Sequence, residues 1–231
     1  MLLNDLDYIG VDETGVGDYF TPIVSVACFI PKKNIELIKK LGVKDSKKIS
    51  DNKISEIASY IIENKLVIFK KTILTQKGYN NLTNLKINNN AVKTLIHLNS
   101  IKRLLESLNK KIPIIIDQYA NLTNISKHID TLKNKKIITT VELKDFELIL
   151  ETKAEEKYLS VACASILARY ILLEKMKEQS LYYKNFSFKL GASNSIIDVA
   201  ILFVKKFGLD ELKNVAKISF KTTNKVLEKL V

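Results

Sequence analysis

The sequence predicts an α/β protein: one sheet covered by helices and followed by a helical C-terminal extension. Three observations carry this expectation. Short apolar runs rich in β-branched residues, bounded by turn residues, open the chain. Strand-like and helix-like runs then mix through its middle, and the last third reads as helix. With 231 residues the chain can build one substantial core, or at most two small domains. No repeat, long linker or low-complexity tail divides it, so a single domain over 1–231 is expected, with the extension from about 180.

Residues 6–11 (LDYIGV) and 23–30 (IVSVACFI) read as strands, the second ended by Pro31. Residues 34–41 form a short helix stopped by Gly42. A second helix starts after Ser50 or Asp51, either of which can cap it, and runs to about Asn64. Residues 66–74 (LVIFKKTIL) read as a strand. From residue 76 to about Asn90 the chain is polar and asparagine-rich. Val92, Leu95, Ile96, Leu98, Ile101, Leu104, Leu105 and Leu108 then recur with helical spacing. Residues 112–116 (IPIII) form a buried strand ending at Asp117, and 136–142 and 146–151 are two further strand candidates. The strongest helix covers 158–177, where the small Ala162, Ala164, Ser165 and Ala168 let it lie close to a neighbour. Helices over 195–207 and 209–216 complete the chain.

Composition excludes several classes. Hydrophobic residues make up 46% and charged residues 27%, ordinary for a globular chain, and no run approaches the roughly 18 apolar residues of a membrane span. The N-terminal MLLNDLD lacks the apolar block of a secretory signal, so a cytoplasmic protein with no membrane partner is expected. Cys28 and Cys163 lie in apolar runs and read as buried free thiols, a single disulfide being the alternative. Distant in sequence and without a CxxC, they serve zinc poorly. The two histidines, His97 and His128, fall in expected helices with no strand-end acid beside them in sequence, which argues against a histidine-based nuclease.

The net charge is +12, and only Arg103 and Arg169 are arginine. Abundant lysine, asparagine and isoleucine suggest an AT-rich coding sequence, but that bias does not explain the excess of bases over acids. A polyanionic partner is implied, nucleic acid first, beside the plainer reading of a solvated lysine surface.

Candidate chemistry gathers in YIGVDETGVGDYFTP, from Tyr8 to Pro22, which holds two of the chain's 7 glycines outside its strand run beside Asp12 and Glu13. Neighbouring strand residues face opposite sides, so the chain is expected to turn at Glu13 to bring both acids to one site. Thr14-Gly15 supplies the break, and Gly15 and Gly17 let backbone approach a ligand closely. Asp117 repeats the pattern of an acid at the C-terminal edge of a buried strand, where open α/β sheets bind ligands. Glu155 and Glu156 form a third group at the start of the long helix, where acids also favour the helix dipole. Oxygen donors without histidine suit Mg²⁺ or Mn²⁺. With a basic surface they point to phosphodiester hydrolysis assisted by two metal ions.

Six segments in order resemble the motifs of the type 2 and type 3 ribonucleases H, over nearly the whole chain. VDETGVGDYFTPIV is similar to the type 3 opening DE-x-G-x-G-D-[YF]-F-G-P, and LGVKDSKKISD to the lysine-rich second motif. NNNAVKTLIH resembles the NLN…H segment, with Asn88, Asn90 and His97 in register. IIIDQYA resembles the third motif and TKAEEKYLSVACASILARY the fourth. LGASNSIIDVA, with the FG and LKNVAKISFKT that follow, is similar to the C-terminal KGAS…KxHFK signature. Asp18-Tyr19-Phe20, Glu155 in place of aspartate and Val16 in place of a basic residue favour type 3.

The resemblance implies a ribonuclease H-like α/β fold, a mixed five-stranded sheet flanked by helices. It implies hydrolysis of the RNA strand of RNA–DNA hybrids with Mg²⁺ or Mn²⁺, leaving 5′-phosphate and 3′-hydroxyl ends; a monomer is expected. The catalytic, metal-holding carboxylates carry over to Asp12, Glu13, Asp117 and Glu155, which selects Glu155 over Glu156. Backbone at Gly15, Val16 and Gly17 is expected to meet sugar 2′-hydroxyls, and Ser46 and Lys47 to hold phosphate. Asn88, Asn90, Ser165 and Arg169 are further expected substrate contacts.

Three departures stand out. Thr21 replaces a glycine and is expected to crowd the turn, and Ser219 replaces a histidine. Only 11 residues precede Asp12, where type 3 enzymes carry an N-terminal hybrid-binding domain, so either a fragment or a naturally short member is expected; Met1 favours the short member, whose basic surface would carry more of the binding. Two rivals remain: a type 2 enzyme incising single ribonucleotides embedded in DNA, against which Val16 argues, and an inactive hybrid-binding module, against which the four acids argue.

Overall fold

The computed structural model describes residues 7–43, 49–139 and 142–230. The chain gathers into two compact units, one of Met1–Thr14, Val24–Thr72 and Asn89–Ile171, the other of Gly15–Ile23, Ile73–Asn88 and Leu172–Val231. The strands are β1 (Ile9–Thr14), β2 (Ile23–Phe29), β3 (Ile68–Leu74), β4 (Ile114–Asp117) and β5 (Leu148–Glu151). The helices are α1 (Ile35–Lys40), α2 (Asp51–Glu63), α3 (Gln76–Asn84), α4 (Asn89–Leu108), α5 (Leu122–Asn134), α6 (Ala154–Lys157), α7 (Leu159–Tyr182), α8 (Asn194–Phe207), α9 (Leu209–Val215) and α10 (Lys221–Glu228).

The sheet of the first unit runs β3-β2-β1-β4-β5. β1 pairs antiparallel with β2 and parallel with β4, and β4 pairs parallel with β5, so the sheet is mixed and five-stranded, as expected. Central position explains the composition of its strands. β2 is buried along its whole length and β1 through Val11, so both read as continuous apolar runs rather than alternations.

One face of β1 sends Ile9 and Val11 into a cluster with Ile101 and Leu104 of α4. The other face presents Gly10 to the start of α7. A Cβ there would lie 2.2 Å from the Val161 nitrogen and 2.3 Å from the Ser160 carbonyl carbon, so the helix approaches within backbone contact. The small residues of α7 announced a close approach, but its contact point on the sheet was not legible.

The second unit gathers the C-terminal helices with two earlier segments. Asn80 of α3 is buried, donates to the Lys213 and Ala216 carbonyls and accepts the Ile218 N–H. The asparagine-rich stretch from 76, which gave no strand or helix signal, is therefore a helix in part, capped by Thr75.

The strand candidate at 136–142 is corrected: no strand forms over its described residues, 136–139 and 142. The backbone there is spent closing α5. Lys136 adopts a left-handed conformation at φ 57°, and the N–H groups of Lys136 and Ile137 return to the Lys133 and Leu132 carbonyls.

Candidate active site

β1 stays a regular strand through both acids, with Asp12 opposite Val26, Glu13 opposite Ser25 and Thr14 opposite Val24. The turn expected at Glu13 is therefore absent; the backbone leaves the strand at Gly15, with φ +84°. Both acids still reach one cleft. Pairing of β1 with β4 ends where Val11 meets Ile116, so past that level the β4 side of β1 is open to side chains from either face.

Asp12, Glu13, Asp117, Glu155, Ser165 and Arg169 line this one cleft of about 410 Å³, together with Asp51. Glu13 faces α4, where the Lys93 Nζ lies 2.6 Å from one carboxylate oxygen and the His97 Nε2 2.9 Å from the other. Lys93 and His97 are one helical turn apart and share a face. Tyr119 meets the His97 ring edge-on and lies under Lys93. Asp12 accepts the Glu13 N–H at 2.8 Å and a hydrogen bond from Ser165 of α7. Asp117 accepts the Ala154 N–H at 3.2 Å, which ties the end of β4 to the short helix bearing the buried Glu155.

Arg169 grips Asp51 with two bonds of 2.9 Å. Ser50 rather than Asp51 caps α2, which frees the Asp51 carboxylate for that grip. The guanidinium is thus committed to a carboxylate, a partner that helix periodicity could not reveal.

Charge is distributed unevenly among these acids. Burial alone would raise Glu13, but the His97 bond and charge together with Lys93 outweigh it and hold the carboxyl down to about 2. Asp12 moves the other way, pushed up to about 8 by burial and then by the charges of Glu13 and Glu155. Among the described residues no three of these groups converge on one point. Like charges hold one another off, and Glu13 is turned to Lys93 and His97. The donor set is all oxygen, which fits a hard divalent cation.

A pH dependence follows. Between pH 5 and 7 the folded protein keeps a proton on Asp12 that the unfolded chain, with an ordinary aspartate, has lost. Stability present at low pH is therefore lost as pH rises toward 8, by up to about 1.4 kcal/mol per pH unit. Thermal melts in EDTA are expected to show this slope for the wild type. In Asp12→Asn the same melts should be flatter by that amount; equal slopes would remove Asp12 as the proton's holder.

The other expected contacts divide. Ser46 and Lys47 lie outside the described residues. Asn90 is exposed in the first turn of α4, and the described lining of the cleft does not include it. Asn88 is exposed and, like Gly15, Val16 and Gly17, belongs to the second unit. Thr21, expected to crowd the turn, is fully buried and donates to the Gly15 carbonyl at 3.2 Å. Ser219 is exposed. Lys93 was not singled out by the sequence, and Asp51 only as a possible helix cap. His97 carried a signal, its register in a motif, without an indication of what it touches.

Acids at the ends of two central strands and on a short helix beside them, over a mixed 3-2-1-4-5 sheet, form the arrangement of a ribonuclease H-like nuclease. The family model for ribonuclease HII matches residues 9–223. The ribonuclease HIII of Phytoplasma mali is 36% identical over 218 residues, covering 94% of this chain and 71% of that protein. Bst-RNase HIII, solved in complex with Mn²⁺, superposes with a TM-score of 0.86 at 31% identity, over 97% of this chain and 70% of that one. Ribonuclease H3 of Aquifex aeolicus gives 0.70 at 25% identity, over 93% and 72%. The chain belongs to the ribonuclease HII family and, within it, to ribonuclease HIII.

Proposed function

We propose that the protein is an endoribonuclease that hydrolyses the RNA strand of RNA–DNA hybrids, leaving 5′-phosphate and 3′-hydroxyl ends. One observation carries the reading: Asp12, Glu13, Asp117 and Glu155 line a single cleft at the strand ends of a ribonuclease HIII chain. These four acids hold Mg²⁺ or Mn²⁺, a choice supported by their oxygen-only chemistry and by the Mn²⁺ of Bst-RNase HIII. When bound, the ions lower the pKa of water and neutralise charge developing on the phosphate. The protein's own contribution is orientation. Lys93 and His97 keep Glu13 ionised and fixed, Ser165 steadies Asp12, and the Ala154 N–H fixes Asp117.

Backbone at Gly15–Gly17 meets ribose hydroxyls, while Ser46, Lys47, Asn88 and Asn90 contact the substrate backbone. Ser165 and Arg169 act on Asp12 and Asp51 first, and on the substrate through them. Among the described residues no helix is long and apolar enough to cross a membrane. Action as a cytoplasmic monomer is part of the proposal, supported by the free thiols of Cys28 and Cys163.

The test is a time course on a hybrid labelled at the RNA 5′ end, with either metal. Internal cleavage that EDTA abolishes is expected. A net charge of +12 predicts a fall in kcat/KM of at least about tenfold between 50 and 200 mM salt. A duplex with one embedded ribonucleotide should be cut far more slowly, because Val16 occupies the middle of the glycine triplet. Equal rates on both substrates would assign type 2 activity, and binding without cleavage in either metal would leave only a hybrid-binding module.

A further inference from the structure

The glycine loop is built against a buried ammonium. Lys217 is fully buried in the second unit. Its Nζ donates to the Gly15 carbonyl at 2.6 Å and to the Asp18 carbonyl, and lies 3.4 Å from the Thr21 hydroxyl. Tyr79 and Phe220 flank it, with ring centres at 5.8 and 5.7 Å. These hydrogen bonds go to backbone and hydroxyl oxygens rather than to a carboxylate. Such burial is costly for a cation, and it pushes the Lys217 amine down to about 7.

What the cost secures is the shape of the loop. The Lys217 N–H holds the Tyr19 carbonyl, and the Tyr19 N–H reaches Gly191. The Gly191 N–H binds the Asp18 carboxylate. The carbonyls of Gly15, Asp18 and Tyr19 are all held by one residue. In a planar trans peptide the N–H points opposite to the C=O. Holding the Gly15 carbonyl on Lys217 therefore turns the Val16 N–H away from the ammonium. Gly15 cannot carry a side chain there, since a Cβ would lie 2.3 Å from the Pro22 carbonyl oxygen.

We propose that Lys217 is a positioning residue for RNA-strand recognition, fixing the Gly15 and Asp18 carbonyls so that the Val16 amide is presented to a ribose 2′-hydroxyl. The proposal rests on the ribonuclease H reading above and on the glycine loop as the ribose contact. Its expected signature is a coupling between Lys217 and that hydroxyl.

The experiment uses hybrids whose RNA strand carries one 2′-deoxynucleotide at successive positions across the cleavage site, alongside an all-RNA strand. The wild type should show a position where the missing hydroxyl lowers kcat/KM at least tenfold. Lys217→Met should lower kcat/KM on the all-RNA strand at least tenfold and shrink that deoxy penalty by a similar factor. Lys217→Gln, which keeps N–H donors, should restore part of both.

A structural role alone lowers the active fraction and leaves the penalty ratio unchanged, so an unchanged ratio in Lys217→Met overturns the proposal. If Lys217→Met does not fold, the same ratio in Lys217→Gln decides. If neither folds at 4 °C, the ammonium is a folding element and the proposal falls. A wild type that cleaves no hybrid overturns the functional reading instead, and one that cleaves without any deoxy penalty overturns the loop contact.

Discussion

Asp117→Asn is expected to lower RNA-strand hydrolysis by at least about a thousandfold, with the thermal midpoint within a few degrees of wild type. The substitution is nearly isosteric, and the amide oxygen can still accept the Ala154 N–H that fixes this side chain at the end of β4. What disappears is one negative charge from the cleft proposed to hold the cation. Glu155→Gln should behave alike, since Glu155 is buried on α6 beside the same opening. Asp51 lines the cleft too, but its carboxylate is spent on Arg169. Asp51→Asn is therefore expected to cost less than about tenfold. Gel time courses at saturating metal, with melts on the same preparations, separate these outcomes. Activity of Asp117→Asn within tenfold of wild type would remove Asp117 from the catalytic set.

The largest stability effect is expected at Gly10. In Gly10→Ala the new methyl would press on the Val161 nitrogen and Ser160 carbonyl carbon, at 2.2 and 2.3 Å. Both are backbone atoms, so no rotamer change relieves the contact and the start of α7 must move. Overpacking of a tight site commonly costs about 1–3 kcal/mol, and a rigid backbone contact belongs at or above the top of that range. For a chain of this size, about 3 kcal/mol corresponds to a fall in midpoint of roughly 6–12 °C. Ser165 and Arg169 ride on the same helix, so hydrolysis should fall with stability. Gly17→Ala is the contrast: a Cβ there meets nothing within 4 Å, so its midpoint should stay within about 2 °C. Calorimetry on both variants decides, and a Gly10→Ala protein as stable as wild type would show that α7 can yield.

The sheet was legible because its strands are central. Burial on both faces turns β1, β2 and β4 into apolar runs whose ends are marked by acids or proline. The acids were legible for the same reason, a charge at the end of such a run being costly unless it has a use. Helices α3 and α5 were not, because polar residues dominate their sequences and their start signals, Thr75 and Asn121, are single side chains accepting one N–H each. The run at 136–142 misled because its β-branched residues suit a strand, whereas its start at Lys136 and Ile137 is used to close α5. Lys93 and His97 are spaced to share a face, but only the fold brings that face to Glu13. The turn expected at Glu13 followed from the right rule on alternation. What the rule omits is that a neighbouring strand can end early and leave both faces open.

That early ending also lets the two adjacent acids be held from different helices. Asp12 is steadied from α7 and Glu13 from α4, on opposite sides of one strand. A substitution at Lys93 or His97 acts on Glu13 directly and on Asp12 through the charge of Glu13, and a substitution at Ser165 acts on Asp12. Two neighbouring letters of the sequence are thus steadied from two different helices, while the charge of one still acts on the other.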